Sequence, residues 1–426
     1  MSSSIVNNIT RMFVVILLTR YYTKEQFGLW ATITSSIAIL TTGDFGVSNA
    51  LRNKISYLIH NDENGDDEAR KYYLSALYFF LGIVLVTSIA FYLLQSIFPI
   101  SNLFKTNDIF LIHEGVTIVV FSVIFFLLSI PFGFGVVAYF SFHESKYYAV
   151  ISIGQALLSL SVVGLFVYSG ESIIIISIGY YISLLIPSII GTVVFIKKRK
   201  WVLYTIKMKE VFPRVKKLLV TGIQFLILQV SSSFLQNAGT VIMASMVSVA
   251  AAADFNIVQK LYMFPIGIYQ SIFNPLWSSY ASAAAKNDWV WIKKTVTRSL
   301  IFTTLYFFGT MVLLTLFGKE AITLLAGTKY AVSYQMILLV GGYLFFYLLW
   351  ACVITFQNSF NKITFINVTI LGMAIITLPL CHYFINLYNI YGGIIVLLCI
   401  WCVLFIMHAA HAFHIIEMNM NRVLRH

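Results

Sequence analysis

The chain has very few charges. Asp, Glu, Lys and Arg make up only 10% of its 426 residues, against about 25% in a soluble domain. That scarcity excludes an ordinary water-soluble fold. A Gly-rich nucleotide loop and a soluble ATPase domain are both lacking, so ATP cannot drive the chain's activity directly. No long loop separates its apolar runs in the second half; the stretch around Lys319 to Ala331 is about 13 residues. A membrane polymerase or ligase, which needs a large outer loop for its catalytic residues, is disfavoured, and no catalytic residue is assigned. The four cysteines, Cys352, Cys381, Cys399 and Cys402, all fall in apolar stretches. The spacing of Cys399 and Cys402 is metal-like, but a pair without further ligands does not make a metal site, so packing between helices is expected. No cofactor is expected.

What is abundant is apolar. Hydrophobic residues are 59% of the chain. Runs of roughly 20 apolar residues match a hydrocarbon core about 30 Å thick. They lie near 3–19, 27–50, 73–97, 115–140, 147–168, 172–196, 218–247, 254–282, 296–318, 332–357, 363–385 and 391–413. Lipid cannot satisfy backbone polar groups, so continuous runs of this length are helices. The expected fold is an all-α integral membrane protein with about 12 transmembrane helices in two six-helix bundles, residues 1–203 and 204–426.

Charge orients these spans. Nine basic residues between Lys197 and Lys217 separate six spans from six. With the N-terminus in the cytoplasm, 21 Lys and Arg fall in inside loops and 5 in outside loops, a positive-inside pattern. Both termini and the middle loop are then cytoplasmic. The net charge of +12 reflects topology and contact with membrane lipids. It is split among short loops, which argues against nucleic acid. The first span lacks a small-residue cleavage site and carries Asn7, Asn8 and Arg11, so it does not read as a removable signal peptide. His408, His411 and His414 read as a solvated helix end.

The halves repeat. Spans two to six and eight to twelve begin at offsets of about 216–227 residues. Parallel repeats place a site between two bundles. By the same offset, the first helix starts about ten residues late compared with the seventh. Either translation begins upstream of Met1, or this helix does not fully cross one leaflet.

Polar groups within spans point to chemistry, because lipid makes them costly. Ser4, Asn7 or Asn8, and Arg11 form one stripe on the first span. Gln229, Ser232 or Ser233, Gln236 and Thr240 form its counterpart on the seventh, and the two stripes are expected to face a wet cavity. Arg11, Arg52 and Lys260 form a cationic set able to neutralise a diphosphate: guanidinium clamps phosphate bidentately and ammonium acts as a point charge. Asn8, Gln229 and Gln236 are expected to bind substrate beside them. Asp44 and Asp254 are candidates for coupling to an ion gradient. A structural cap or ion pair is the equal alternative for Asp44.

Some of these residues carry a resemblance. Leu18-Thr19-Arg20-Tyr21-Tyr22, Glu25-Gln26-Phe27-Gly28-Leu29-Trp30, Asp44-Phe45-Gly46 and Ala50-Leu51-Arg52 resemble the N-terminal signature of the polysaccharide transporter family, the Wzx-type O-antigen flippases. Lys260-Leu261, Phe264-Pro265 and Gly267 resemble an eighth-helix pattern shared with lipid II flippases, with Lys where those have Arg. The resemblance implies the V-shaped multidrug/oligosaccharidyl-lipid/polysaccharide exporter fold and alternating access. It implies an undecaprenyl-diphosphate-linked oligosaccharide as substrate, moved across a bacterial inner membrane for O-antigen or a related surface polysaccharide. H+ or Na+ would supply energy, and a polysaccharide polymerase would be a partner. A drug or cation exporter of the same fold is the rival, but it would want acids where this chain offers bases.

Overall fold

A computed structural model describes residues 2–40, 46–61, 64–94, 108–142, 144–201, 208–273, 276–330, 332–359 and 363–423. Within them the chain forms fourteen helices and no strand. The first half holds α1 (Ser2–Tyr21), α2 (Lys24–Leu40), α3 (Val47–Asn61), α4 (Gly65–Leu94), α5 (Ile109–Ser141), α6 (Ser145–Tyr168) and α7 (Ile173–Lys198). The second holds α8 (Met208–Met246), α9 (Val249–Phe273), α10 (Leu276–Ala285), α11 (Trp289–Ala326), α12 (Tyr334–Asn358), α13 (Ile363–Tyr388) and α14 (Ile390–Val423). The twelve expected spans map onto these fourteen helices. The second is divided between α2 and α3, and the eighth between α9 and α10, so the division recurs at the repeat-related position.

Among the described residues, eight helices are long and apolar enough to cross a membrane: α4 to α7 and α11 to α14. The others fall on expected spans one, two, seven and eight. Spans one and seven among them carry the polar stripes, and residues of both, Asn8, Arg11 and Gln236, line one space. Within the first half α5 packs on α7 and α6 on α7, and α1 lies along α6; within the second, α12 and α13 pack on α14. The halves meet where α2 crosses α8 and α9, where α1 crosses α9, and where α3 and α4 flank α8.

Local sequence explains much of the helical layout. Asp108, Ser172, Asp288 and Ser333 cap α5, α7, α11 and α12, each accepting hydrogen bonds from first-turn N–H groups that have no partner inside the helix. Several hydroxyls within the spans donate to a carbonyl of their own helix, as Thr32 does to Gly28 and Ser177 to Ile173. Two glycines permit close approach. Gly46 has φ of 69°, and a Cβ there would collide with the Gly222 carbonyl of α8. A Cβ on Gly267 would collide with the Asn8 amide. Both belong to the short motifs singled out above.

Basic residues gather at one end, where α7 ends and α8 begins. Glu144 binds Lys198 at 2.6 Å and Arg199 at 3.0 Å, and Arg214 approaches Glu68 at 3.8 Å. Contacts between the halves close the opposite end. Lys24 binds Asp254 at 2.6 Å. Arg20 donates to the Leu324 and Leu325 carbonyls at the end of α11, and Lys329 donates to the Tyr22 carbonyl.

The histidines at the end of the last span correct the solvated reading. His408 is fully buried. Its Nδ1 lies 2.8 Å from Gln357 Oε1 and its Nε2 2.9 Å from Thr369 Oγ1, which ties α14 to α12 and α13. His411 is half-buried against Phe365, and only His414 is exposed. Cys352 and Cys381 are buried as expected, but Cys399 is exposed and Cys402 intermediate.

Candidate functional site

A cavity of about 340 Å³ opens between the halves where α1, α8 and α9 meet. Helical spacing builds each wall. Asn8 and Arg11 lie one turn apart on α1. Gln236 and Asn237 come from α8. Gln259, Lys260, Met263, Gly267 and Gln270 recur every three or four residues on α9, so one face of that helix looks into the space.

The neutral lining is held in place from behind. Gln259 Nε2 donates to the Gln236 carbonyl at 3.0 Å and to the Tyr343 hydroxyl at 2.8 Å. Gln270 Nε2 donates to the Tyr347 hydroxyl at 3.2 Å. Asn237 donates to the Ser233 carbonyl at 2.9 Å, and Ser233 Oγ reaches across the halves to the Ala38 carbonyl at 2.7 Å.

The cations are held differently. Arg11 and Lys260 are exposed to the cavity space. Among the described residues neither is in an ion pair, and no carboxylate lines the cavity. Two positive charges on helices from opposite halves thus share one space within the spans without a neutralising acid. A bare charge at this depth is costly, so the arrangement calls for water and an anion.

Lys260 also borders two further spaces. One, of about 310 Å³, extends into the first half and is lined by Arg11, Trp30, Thr34, Ser35, Tyr180 and Tyr181, among others. The other is a small niche of about 30 Å³ whose walls are apolar except for Lys260 and Thr19: Met12, Val15, Ile16, Leu261, Ile322 and Leu325 contribute to it. The ammonium-bearing residue stands where polar chambers meet an apolar crevice.

The structure brings together Arg11, Lys260, Asn8 and Gln236 from the sequence-derived set. It separates others from them. Arg52 is on α3 near the linker end, where its guanidinium lies 4.7 Å from the Phe140 ring and its carbonyl accepts from Ser141 Oγ. Gln229 is half-buried, about two turns down α8 from Gln236, and is not a lining residue. Asp254 is 9% exposed and pairs with Lys24 at the closed end. Asp44 lies outside the described residues. Asn7 is distinguished from Asn8: its amide donates to Ser152 Oγ at 2.7 Å and ties α1 to α6. Sequence reasoning missed Asn237, Gln270 and Tyr347. The α9 stripe of Gln259, Met263, Gly267 and Gln270 was the signal that could have found Gln270.

Two helical halves around a cationic cavity define a multi-pass helical membrane protein with a polar, positively charged interior. A family described as polysaccharide biosynthesis protein matches residues 1–281, and the chain belongs to that family. No curated protein matches the sequence. Solved structures match the fold. An inward-facing multidrug resistance MATE transporter of the MOP superfamily superposes with a TM-score of 0.79 at 11% identity, covering 97% of this chain and 96% of its own. The lipid II flippase MurJ in an inward closed conformation superposes with a TM-score of 0.75 at 14% identity, covering 97% and 86%. A MOP superfamily transporter from Pyrococcus furiosus, whose binding pocket is described as reversed in polarity, gives 0.62 at 12% identity, covering 98% and 96%.

Proposed function

We propose that this protein flips an undecaprenyl-diphosphate-linked oligosaccharide from the cytoplasmic to the outer leaflet of a bacterial inner membrane, for O-antigen or a related surface polysaccharide. The observation that carries this is the position of Lys260. An apolar niche, a pair of uncompensated cations and two polar chambers follow one another around it. A polyprenyl-diphosphate-sugar has the same order of parts. Its diphosphate would bridge Arg11 and Lys260, guanidinium on one half and ammonium on the other. Asn8, Gln236 and the other amides would hydrogen-bond sugar hydroxyls, and the Trp30 and Tyr180 rings offer apolar faces in the second chamber. A drug or cation exporter fits less well, because the cavity has the wrong sign of charge for a cation.

A diphosphate held by both halves gives the ligand differential contact with the two states, which alternating access requires. Asp254 is the described candidate for ion coupling by H+ or Na+; its pair with Lys24 joins the halves at the closed end.

Arg11→Ala and Lys260→Ala test the reading. Each should abolish surface polysaccharide while the protein still inserts, and each should weaken binding of undecaprenyl diphosphate to the purified protein by about tenfold or more, the scale of one charge-assisted contact. Lys260→Arg should keep part of both. Wild-type binding and surface polysaccharide in both alanine variants would overturn it.

A further inference from the structure

A second cationic groove lies far from the central cavity, at the end of the molecule where α7 ends and α8 begins. Lys54 and Asn53 of α3, Tyr57 of α3, Tyr72 of α4 and Lys217 of α8 line a space of about 540 Å³. Lys217 is about 28 Å along α8 from Gln236, at 1.5 Å per residue. Among the described residues no carboxylate lines this groove. The nearby acids of the first turn of α4 are engaged elsewhere. Asp66 accepts from Trp201 Nε1 at 3.1 Å, Asp67 is bound by Arg70 and Lys71, and Glu68 by Lys71 at 2.9 Å and Arg214 at 3.8 Å.

Aromatic rings hold the base that reaches the groove from the first half. Lys54 Nζ lies 5.3 Å from the Tyr57 ring centre and 5.4 Å from that of Tyr72. Tyrosines at this level are typical of a membrane interface, with an apolar body toward lipid and a hydroxyl toward water. The sequence of α4 crosses that boundary here, passing from Asp66, Asp67 and Glu68 to the apolar run after Tyr73.

The groove continues inward along the same two helices. Ala50 and Leu218 form its apolar floor. Deeper along the α4–α8 seam, a second space of about 320 Å³ is lined only by Phe79, Phe80, Ile83, Leu219, Ile223 and Leu226. Tyr72 and Phe79 are two turns apart on α4, and Leu218 and Leu219 are neighbours on α8. A basic head site therefore sits above an apolar trough.

We infer that this seam binds one anionic phospholipid, with its phosphate between Lys54 and Lys217 and an acyl chain along Phe79, Phe80, Leu219 and Ile223. A free phosphate would use the lysines but have no need of the trough. A neutral lipid would use the trough but gain nothing from the lysines. The bilayer supplies anionic phospholipid at high local concentration, and lysines near its surface attract it. Because α3 and α4 belong to one half and α8 to the other, the bound lipid touches both halves. It stabilises the arrangement in which they meet at this end, and so biases the transport equilibrium.

The test measures lipid retention by the purified full-length protein, by native mass spectrometry and by melting temperature in detergent. Dioleoyl phosphatidylglycerol should bind and raise the melting temperature, and dioleoyl phosphatidylcholine should not. The double variant Lys54→Gln with Lys217→Gln should lose about tenfold or more in phosphatidylglycerol affinity, since each lysine near a lipid surface contributes appreciably. The Lys54→Arg and Lys217→Arg pair should keep it, which separates loss of charge from loss of fold. Ile223→Trp, which fills the trough, should lower retention with both lysines intact. Arg11→Ala should leave it unchanged, so the outcome is independent of the central cavity. Equal retention of phosphatidylglycerol by wild type and the double glutamine variant would overturn the inference. So would stabilisation by inorganic pyrophosphate equal to that by the lipid, which marks a free-phosphate site, or displacement of phosphatidylglycerol by equimolar undecaprenyl diphosphate, which marks a carrier-lipid site.

Discussion

Asn7 and Asn8 are adjacent and of one chemical type, yet one joins α1 to α6 and the other lines the cavity. Only the helix rotation set by packing tells them apart. Glu144 shows how a residue at a loop can be read further. Partial burial pushes its carboxyl upward, but Lys198 and Arg199 outweigh that effect and hold it below its ordinary value of 4.5. A carboxylate whose folded pKa is depressed adds stability above its unfolded pKa and loses it as pH falls through the folded one. The contribution should be present at neutral pH and disappear in acid below the ordinary carboxylate range. Melting curves of wild type and Glu144→Gln check this: wild type should be the more stable at neutral pH, and the difference should shrink as pH falls below about 4. A difference independent of pH would show that the pairs carry no such linkage.

At the scale of elements, α2 and α9 join the halves at the closed end. Lys24 and Asp254 are both largely buried and pair at 2.6 Å. Breaking such a pair leaves one buried charge uncompensated, which costs more than the pair itself contributes. Nearby, Phe27 meets Tyr330 edge to face at 6.0 Å, and Tyr330 is only 7% exposed. Lys24→Gln or Asp254→Asn should loosen this end and expose position 330. Maleimide labelling of Tyr330→Cys, in a background without the native cysteines, should then become faster by severalfold. The charge swap Lys24→Asp with Asp254→Lys should restore protection. Unchanged labelling in both single variants would remove this pair from the gate. The legible part of these elements was their existence. Their division was partly legible: spans two and eight read as apolar runs, but Asn274-Pro275 lies between α9 and α10 and Gly43-Asp44-Phe45-Gly46 between α2 and α3, and both are turn-forming sequences. His408 was misread. A three-residue repeat of histidines does not say which one turns inward, and Gln357 and Thr369, which receive it, are distant in sequence.

At the scale of the molecule, the basic loops cluster at one end and the contacts of Arg20, Lys24 and Lys329 at the other. The positive-inside rule orients the first end toward the cytoplasm. Reporter fusions at Lys207 and Asn386 should therefore report opposite sides, the first cytoplasmic and the second external. Finding both on one side would contradict the twelve-span topology. A cytoplasmic report at Lys207 would place the lipid seam on the cytoplasmic leaflet and the Lys24–Asp254 pair outside.

The sequence by itself determined that this is a helical membrane protein, because lipid leaves the backbone no other solution; the repeat in its spacing is what suggested two related halves. It also singled out Arg11 and Lys260, because charge within a span is costly enough to need a reason. The tertiary structure decided which polar residues share a space. It gathered Arg11, Lys260, Asn8 and Gln236 at one cavity, sent Arg52 to the α3 surface, paired Asp254 with Lys24, and buried His408. Those outcomes depend on helix rotation and on contacts distant in sequence, such as the 51-residue separation of Gln357 and His408 and the 230-residue separation of Lys24 and Asp254. Hydrophobic periodicity gives the face of a helix, but which neighbour covers that face is settled only when the halves pack.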